Sequence, residues 1–402
     1  MRNLLTRGAT LVAALALVVA GAAPVAASGN RYVQISAGGD HTCAITSRGA
    51  AYCWGGNFNG ALGDGTETDS GVNGPQPVIG GLRFVSISAG DDHTCGLTRR
   101  GAAYCWGDNG DGQLGDGTTN DSDENGPQPV IGGLTFTRII AADDYTCAIT
   151  SRGAAYCWGV NSSDGELGDG TETDSGVNGP QPVIGGLKFV SLSAQEDFTC
   201  GLTTRGAAYC WGYNGSRGQL GDGTTTTASG VNGPQRVIGG HRFQALQVGS
   251  DGACGLTTRG QTYCWGDNSS DGELGDGTTT SSGVNGPQRV IGGIRFASFP
   301  VVSGEEHRCA LTARGEAYCW GSNDSGQIGD GSGTGAATSE LLAMGPRRVI
   351  GGLRFTSISV SEDRSCALTS SGAAYCWGDN FDGALGDGTT TDSDANGPQP
   401  VK

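Results

Sequence analysis

Short runs of β-branched and aromatic residues alternate along the chain with stretches rich in Gly, Asn and Asp. In one representative unit these runs cover residues 84–88, 94–98, 102–106 and 127–131. Such runs, bounded by turn-forming residues, are typical of β-strands. The prolines in the fourth run favour an edge position, because proline cannot donate a backbone hydrogen bond to a neighbouring strand. The pattern therefore predicts four short strands per unit.

The second and third runs form a hairpin that recurs seven times, with successive copies 52 to 57 residues apart. In every copy a second Cys follows the first by ten positions and is itself followed by Trp-Gly. Seven units of four strands predict an all-β fold, a seven-bladed β-propeller with four-stranded antiparallel blades. A linear β-solenoid is the alternative, but its coils are shorter and lack such a hairpin. Since the first strand begins near residue 31 and the last ends near residue 402, we expect the two ends to meet.

Composition supports this interpretation. The chain of 402 residues contains 75 Gly, which excludes a mainly helical protein because each Gly inside a helix costs about 1 kcal/mol. There is no Gly-X-Y period, so a collagen-like protein is excluded. Seven Trp, ten Tyr and ten Phe argue against a disordered Gly-rich linker.

The first 27 residues have the features of a secretory signal peptide. Arg2 and Arg7 precede a short apolar run at residues 11–20, and small residues at 25–27 offer a cleavage site. A membrane anchor is the weaker alternative, because this run is shorter than the roughly 20 residues of a spanning helix. We therefore expect an exported protein, secreted or extracellular, whose residues 28–402 form the propeller. Its cysteines are then expected to form disulfides.

The hairpin geometry predicts how the cysteines pair. Gly stands third in the loop at residues 47–49 and in every other copy, as expected for a three-residue hairpin loop with Gly in the left-handed conformation. That loop places Cys43 opposite Cys53, near disulfide geometry. A ten-residue offset does not match zinc-site spacing. One disulfide per blade is predicted: Cys43–Cys53, Cys95–Cys105, Cys147–Cys157, Cys200–Cys210, Cys254–Cys264, Cys309–Cys319 and Cys366–Cys376.

Charge is distributed unevenly. The formal net charge of −16 becomes −18 when the leader is removed, leaving 22 cationic and 40 acidic residues. The loop before strand two and the loop after Trp-Gly should share one face, and together they hold 39 of the 40 acids. The opposite face receives the hairpins and the connections between blades, with twelve Arg and Lys. The sequence thus predicts one acidic and one basic face, and the acidity argues against nucleic-acid binding.

Two adjacent positions at the start of strand two are candidates for binding. The first is acidic in every copy and is either a turn former or a binding residue: Asp40, Asp92, Asp144, Asp197, Asp251, Glu306 and Asp363. The second varies, as expected either for a surface matched to an asymmetric partner or for neutral drift among copies: His41, His93, Tyr145, Phe198, Gly252, His307 and Arg364.

The repeat resembles that of the regulator of chromosome condensation family. The resemblance covers nearly all of residues 28–402 and is carried by residues 89–93, Leu97-Thr98 with Gly101, residues 104–107, and Asn109 with residues 112–115. It implies a seven-bladed propeller. The family includes a nuclear guanine-nucleotide exchange factor that binds chromatin, and a secreted bacterial branch with the propeller-type β-lactamase inhibitory protein. In that branch, the resemblance implies that the loop layer carries aromatic contacts to the target. The leader, acidity and paired Cys of this chain are similar to the exported branch.

Catalytic and metal chemistry is weakly represented. The four His are spread around the ring, and no nucleophile elbow, phosphate-binding loop or zinc motif occurs. No cofactor is predicted; calcium is the best candidate, at residues 267–272, although position twelve of that loop is Thr278 rather than Glu.

We therefore expect a monomeric, non-enzymatic module without a membrane span. It should bind a protein or a cell-surface macromolecule through its acidic loop face. An inhibitor of a secreted enzyme is the alternative; an enzyme that uses loop carboxylates and, by fold analogy alone, an exchange factor are more remote.

Overall fold

The computed structural model describes residues 30–161, 164–226, 233–268, 272–299, 307–332, 343–393 and 396–402. Within these ranges the strands form seven separate four-stranded antiparallel sheets, arranged as a ring. The predicted all-β seven-bladed propeller is therefore confirmed. The predicted leader, residues 1–27, lies outside the described residues.

Each blade takes its four strands, in order, from one continuous repeat. Blades 1 to 3 comprise β1 to β12, which are Tyr32–Ala37, His41–Thr46, Ala51–Gly55, Gln76–Pro77, Phe84–Ala89, His93–Thr98, Ala103–Gly107, Gln128–Pro129, Phe136–Ala141, Tyr145–Thr150, Ala155–Gly159 and Gln181–Pro182. Blades 4 to 7 comprise β13 to β28, which are Phe189–Gln195, Phe198–Thr203, Ala208–Gly212, Gln235–Arg236, Phe243–Gly249, Gly252–Thr257, Thr262–Gly266, Gln288–Arg289, Phe296–Ser298, His307–Thr312, Ala317–Gly321, Ala343–Arg348, Phe355–Val360, Arg364–Thr369, Ala374–Gly378 and Gln399–Pro400.

The fourth strand is shorter than the sequence predicts. In blade 2 it spans only Gln128–Pro129 rather than residues 127–131. Regular pairing with β7 is limited to two residues on the outer edge. The fourth strands of blades 4 and 5, where Arg236 and Arg289 replace the proline, are equally short, so proline alone does not set this length.

Long loops between strands three and four carry short 3₁₀ helices. Those of the described residues are Phe58–Gly60, Gly71–Asn73, Asp123–Asn125, Gly176–Asn178, Gly283–Asn285 and Phe381–Gly383. An Asn at the start of the loop organises it: Asn57 Nδ2 donates to Thr66 O at 2.9 Å and Thr68 O at 3.1 Å, while its Oδ1 accepts from Leu62 N–H at 2.9 Å. The side chain of one buried Asn thereby replaces part of the missing backbone ladder.

The first strand of each blade lies innermost, because the first strands of neighbouring blades contact each other. The ring closes between blades 7 and 1 by hydrogen bonds rather than by exchange of a strand. Tyr32 N–H donates to Gly372 O at 3.0 Å, and Ala37 N–H donates to Ser359 Oγ at 3.0 Å. The expected meeting of the two ends therefore occurs through side-by-side packing of complete blades.

All seven predicted disulfides are present, each pairing cysteines ten residues apart, and no free cysteine remains among the described residues. In blade 1 the register places Cys43 opposite Cys53, as the hairpin geometry predicts. Gly49 has φ +79°, which confirms the left-handed glycine in the loop.

The seven Trp pack between blades and are all fully buried. Trp106 of blade 2 donates from Nε1 to Ala61 O of blade 1 at 2.9 Å, and Trp54 makes the same bond to Ala384 O of blade 7. Gly63 lies against the Trp106 ring with φ +63°, and a Cβ there would lie 2.7 Å from Nε1. The recurring Leu-Gly-Asp-Gly segment is therefore a scaffold feature that receives the next blade's Trp.

Candidate functional site

The two acidic loops of each repeat lie on one face because backbone hydrogen bonds join them. In each such bond, the backbone N–H of the residue that follows Trp-Gly donates to the backbone oxygen of the residue before strand two. In blade 1 Gly56 N–H donates to Asp40 O at 2.9 Å, and in blade 2 Asp108 N–H donates to Asp92 O at 3.0 Å. The same bond recurs at Asp144, Asp197, Asp251 and Asp363.

The loops before strand two also touch from blade to blade around the ring axis. Gly39 N–H donates to Gly90 O at 3.1 Å, and Asp91 N–H donates to Ala142 O at 3.2 Å. These contacts bring the acidic side chains of successive blades together at one end of the inner ring. We refer to Asp40, Asp91, Asp92, Asp143 and Asp144, which belong to blades 1 to 3, as the acidic sector.

The variable position does not form part of this surface, contrary to the sequence-based expectation. Its side chains are fully buried in the described blades: His41, His93, Tyr145, Phe198, His307 and Arg364. In four blades the polar tip forms a hydrogen bond to a hydroxyl of the next blade. The pairs are His41–Thr94 at 2.7 Å, His93–Thr146 at 2.8 Å, Tyr145–Thr199 at 2.9 Å and His307–Ser365 at 2.9 Å.

The two other buried side chains at this position also face the next blade or the ring closure. Phe198 packs with Val248 and Ala253 of blade 5. Arg364 donates from Nη2 to Gly38 O at 3.0 Å and to Gly39 O of blade 1, and its Nη1 lies 3.8 Å from Asp379 Oδ2. The variation is thus accommodated between blades, because strand two is buried here on both sides and its alternating side chains face the next and the preceding blade.

Blade 5 has no side chain at this position, and blade 6 compensates. Where blades 1 to 4 carry Thr, blade 5 Ala and blade 7 Ser, blade 6 has Arg308, which is buried. Arg308 Nη2 donates to Gly252 O at 3.3 Å, and a Cβ added at Gly249 would lie 2.3 Å from Arg308 Nη1. The guanidinium therefore occupies space that Gly249 and Gly252 leave open.

Burial keeps the three inward-facing histidines neutral. Loss of solvation lowers the pKa of His41 and of His307 to about 3, and that of His93 to about 4. The Nδ1 of His307 lies 3.1 Å from Glu362 O and its Nε2 lies 2.9 Å from Ser365 Oγ. A neutral ring can donate Nδ1–H to the carbonyl, while the single Ser365 hydroxyl proton has two acceptors within reach, His307 Nε2 and Gln327 O at 3.1 Å.

The acidic position before strand two does reach the surface. Asp40, Asp197 and Asp363 are exposed, whereas Asp92, Asp144 and Asp251 are half-buried; Glu306 lies outside the described residues. Two of these carboxylates contact side chains of the preceding blade rather than the backbone of their own turn. Asp251 Oδ2 lies 2.8 Å from Arg217 Nη1, and Asp363 Oδ1 accepts from Gln327 Nε2 at 2.7 Å. In these two blades, therefore, the contacts of the carboxylate do not match the predicted turn-forming role.

Four carboxyl groups of the acidic sector, those of Asp91, Asp92, Asp143 and Asp144, have raised pKa values, with burial as the main cause. Burial and then the nearby charge of Asp91 raise the pKa of Asp92 to about 7. The Asp91 and Asp143 carboxyls hydrogen bond to each other, and burial together with neighbouring acids raises both pKa values. None of the five residues of the acidic sector takes part in an ion pair within the described part of the chain. Within the described residues the sector is thus a concentration of acids without an ion pair, and the buried Arg364, which reaches Gly38 and Gly39, is a nearby cation that interacts with Asp40.

Two exposed aromatic residues near this face escaped the sequence reasoning. Phe58 is 55% exposed and Phe381 is 69% exposed, at equivalent positions in the 3₁₀ helices of blades 1 and 7. We call Phe58–Gly60 and Phe381–Gly383 the seam loops. The second packs against Gly71–Asn73 of blade 1, whose Val72 is 61% exposed. Both aromatic residues directly follow the recurring Asn at the start of the loop, such as Asn57 in blade 1. A comparison of the seven repeats at this position could have found them, because the other five repeats carry no aromatic residue there.

The opposite face receives the hairpins, as predicted, and carries the single acid assigned to it. Glu316 Oε1 lies 2.7 Å from Arg354 Nη1 and 3.1 Å from Arg348 Nη2. These ion pairs lower the pKa of Glu316, with the Arg354 hydrogen bond as the main cause.

In the predicted calcium loop, both carboxylate oxygens of Asp267 already contact other side chains of the protein. Asp267 Oδ2 lies 2.8 Å from Arg217 Nη1, and its Oδ1 accepts from Ser281 Oγ at 2.6 Å. Residues 269–271 lie outside the described ranges. Within those ranges, no group of three or more His, Cys, Asp or Glu is arranged to hold a metal ion, and no helix is long and apolar enough to cross a membrane.

Comparison with characterised proteins agrees with this architecture. The chain is 28% identical over 371 residues to the ultraviolet-B receptor UVR8 of Arabidopsis thaliana, covering 92% of this chain and 81% of UVR8. It is 30% identical over 366 residues to the human E3 ubiquitin-protein ligase HERC2, covering 87% of this chain but only 7% of HERC2.

Solved structures share the fold. Human WBSCR16 superimposes with a TM-score of 0.72 and 20% identity, covering 86% of this chain and 88% of WBSCR16. Prp20p of Saccharomyces cerevisiae also gives 0.72, with 22% identity, covering 92% of this chain and 87% of Prp20p. A family model described as the regulator of chromosome condensation (RCC1) repeat matches residues 32–61, and one described as the RCC1-like domain matches residues 71–402. The chain therefore belongs to the RCC1-like domain family.

Proposed function

We propose that this protein is an exported, monomeric and non-catalytic binding module that recognises a cationic protein through its acidic loop face. The acidic sector is the observation that carries the proposal, because five acidic residues from three blades converge without forming an ion pair among the described residues. Burial and then neighbouring acids raise the pKa values of Asp91, Asp92 and Asp143, so their ionised forms are costly in the free protein. A cationic side chain placed among them would relieve that cost.

The seam loops supply the apolar part of the proposed interface. The seam loop that contains Phe381 lies near the acidic sector, because both approach Gly56. A Cβ added at Gly56 would lie 3.0 Å from Asp40 Cβ and 3.7 Å from Asp382 Oδ2. Exposed aromatic residues beside charged ones are typical of binding hot spots. Prp20p, which shares the fold, has been studied for its binding to Gsp1p and histones.

The experiment is a pull-down from the culture medium of the source organism, followed by measurement of affinity for the captured partner. Replacing Phe58→Ala and Phe381→Ala together should weaken binding about tenfold or more. Asp92→Asn with Asp144→Asn should weaken it less and should reduce its dependence on salt.

Val177→Ala with Val284→Ala is the matched control, because both Val are 56% exposed in equivalent loops of blades 3 and 5. Unchanged affinity of both test variants, or an equal loss in the control, would overturn the proposal.

Inhibition of a secreted enzyme is a second candidate, favoured by the exposed Phe58 and Phe381, since an aromatic side chain can enter a substrate cleft. If the captured partner is a hydrolase, its turnover with and without this protein distinguishes inhibition from simple binding. Full activity at saturating concentrations of this protein would exclude the inhibitor function.

A further inference from the structure

A cavity lies at the hairpin end of blade 4, away from the acidic sector. It has a volume of about 520 Å³ and is lined by the hairpin and outer strand of blade 4 and by the connections that enter and leave that blade. Four of its lining residues are cationic: Lys188, Arg205, Arg236 and Arg242. The cavity size is within the range of small-molecule sites.

The charge of this cavity is not balanced. No acidic residue lines it, and none of the four cations forms an ion pair with another described residue. Arg242 leans over the hairpin, where its Nη1 donates to Arg205 O at 3.2 Å. Four like charges around one concavity repel each other, and an anion would relieve that repulsion. Guanidinium groups favour phosphate and sulfate because they can donate two parallel hydrogen bonds.

Blade 4 differs from every sister blade at one position of this cavity and from four of them at another. His241 stands where the other units have Leu or Ile or end before that position. Arg236 stands where blades 1, 2, 3 and 7 have Pro, whereas blades 5 and 6 also carry Arg there. The His241 ring is half-buried and stacks against Tyr263, with centroids 4.1 Å apart. Polar and cationic residues have thus replaced scaffold residues at the point where the cavity opens.

The uncharged residues that line the cavity indicate what kind of molecule could carry the anionic groups. Tyr209 and Leu187 add a partly apolar wall, on which the carbon face of a sugar ring could pack. We propose that the cavity binds a saccharide that carries two or more phosphate or sulfate groups, either as a free molecule or as part of an anionic polymer. This site is separate from the proposed protein-binding face and does not depend on it.

Isothermal titration calorimetry with the full chain tests the proposal. The probes are fructose 1,6-bisphosphate, a sulfated heparin tetrasaccharide and neutral fructose. At least one anionic probe should bind, with affinity that falls as salt rises, and fructose should not bind. Binding of the bisphosphate indicates a free ligand, whereas binding of the tetrasaccharide alone indicates a polymer segment.

Variants locate the binding. Arg205→Ala with Arg242→Ala should lower the affinity about tenfold or more, corresponding to loss of at least one charge-assisted contact. Arg48→Ala with Arg83→Ala changes the equivalent residues of blade 1, where Pro77 and Leu82 keep the scaffold residues, and should leave affinity unchanged. Binding of neither anion, equal binding of fructose, or an equal loss in the blade 1 control would overturn the proposal.

Discussion

At the scale of single residues, one position at the start of strand two joins each blade to the next in different chemical ways. His41 and His93 use a ring nitrogen, Tyr145 uses its hydroxyl and Phe198 uses apolar contact. The position tolerates variation because its partner is a neighbouring blade that can vary with it, as Arg308 does opposite Gly252. Its diversity therefore reflects packing between blades rather than recognition of a partner.

Replacing His93→Ala should lower the free energy of unfolding by about 1–3 kcal/mol, because it leaves a cavity and removes the inter-blade bond to Thr146. Val85→Ala, at a position 57% exposed, is the control and should change stability by less than about 0.5 kcal/mol. Chemical denaturation followed by Trp fluorescence measures both. Equal stabilities of the His93 variant and the wild type would show that the contact contributes nothing.

At the scale of the strands, each blade is stabilised by its own hairpin disulfide and joined to its neighbour by Trp. The disulfide lies between strands two and three, and the adjacent Trp extends into the Leu-Gly-Asp-Gly loop of the preceding blade. The disulfide within the blade and the Trp contact to the preceding blade thus come from adjacent residues, Cys105 and Trp106 in blade 2. A hairpin held by its disulfide therefore also holds the Trp in place at the blade interface.

Removing one disulfide, Cys95→Ala with Cys105→Ala, should lower the free energy of unfolding by about 2–3 kcal/mol, the loop-entropy value for a cross-link of this length. The fold should persist, because the other six disulfides remain. Guanidinium denaturation monitored by circular dichroism measures the change. Alkylation followed by mass spectrometry of the intact wild type should find no free thiol; labelling at these two cysteines would contradict the disulfide.

At the scale of the whole molecule, the ring brings acids of blades 1 to 3 together in the acidic sector, and cations around blade 4 line a separate cavity. Asp91 and Asp143 belong to successive blades yet share a hydrogen bond, and both have raised pKa values because they are buried among other acids. Lys188 and Arg242 similarly come from successive connections to line one cavity. Both candidate sites are therefore products of ring geometry.

The shared proton makes stability depend on pH. A carboxyl whose pKa is raised by folding contributes stability at low pH, and this contribution is lost as pH rises through the folded pKa. Between pH 6.5 and 8.5 we expect the wild type to lose about 1–2 kcal/mol from this pair. The buried histidines act in the opposite sense and below about pH 6.5, because their folded pKa values are lowered.

Asp91→Asn with Asp143→Asn should flatten the decline above pH 6.5. Denaturation of the wild type and the variant at pH 6.5, 7.5 and 8.5 measures the free energy of unfolding at each pH. The control is Asp64→Asn, an exchange in the Leu-Gly-Asp-Gly segment of blade 1. A decline of the same size in the wild type and the double variant would contradict the role of the pair.

The sequence by itself determined the blade number, the strand order and the cysteine pairing. These features depend on local spacing that is repeated seven times, so each copy confirms the others. The Trp positions and the placement of both acidic loops on one face also follow from the repeat, because strand direction alternates within a hairpin.

Only the tertiary structure decided which side chains reach the surface. His41 and Phe198 stand beside exposed acids in the sequence, yet strand two is buried on both sides and the next blade covers these side chains. The contact between Asp91 and Asp143 and the basic cavity depend on distances between residues about one repeat apart. Such distances follow from the curvature of the closed ring, which no local pattern in the sequence specifies.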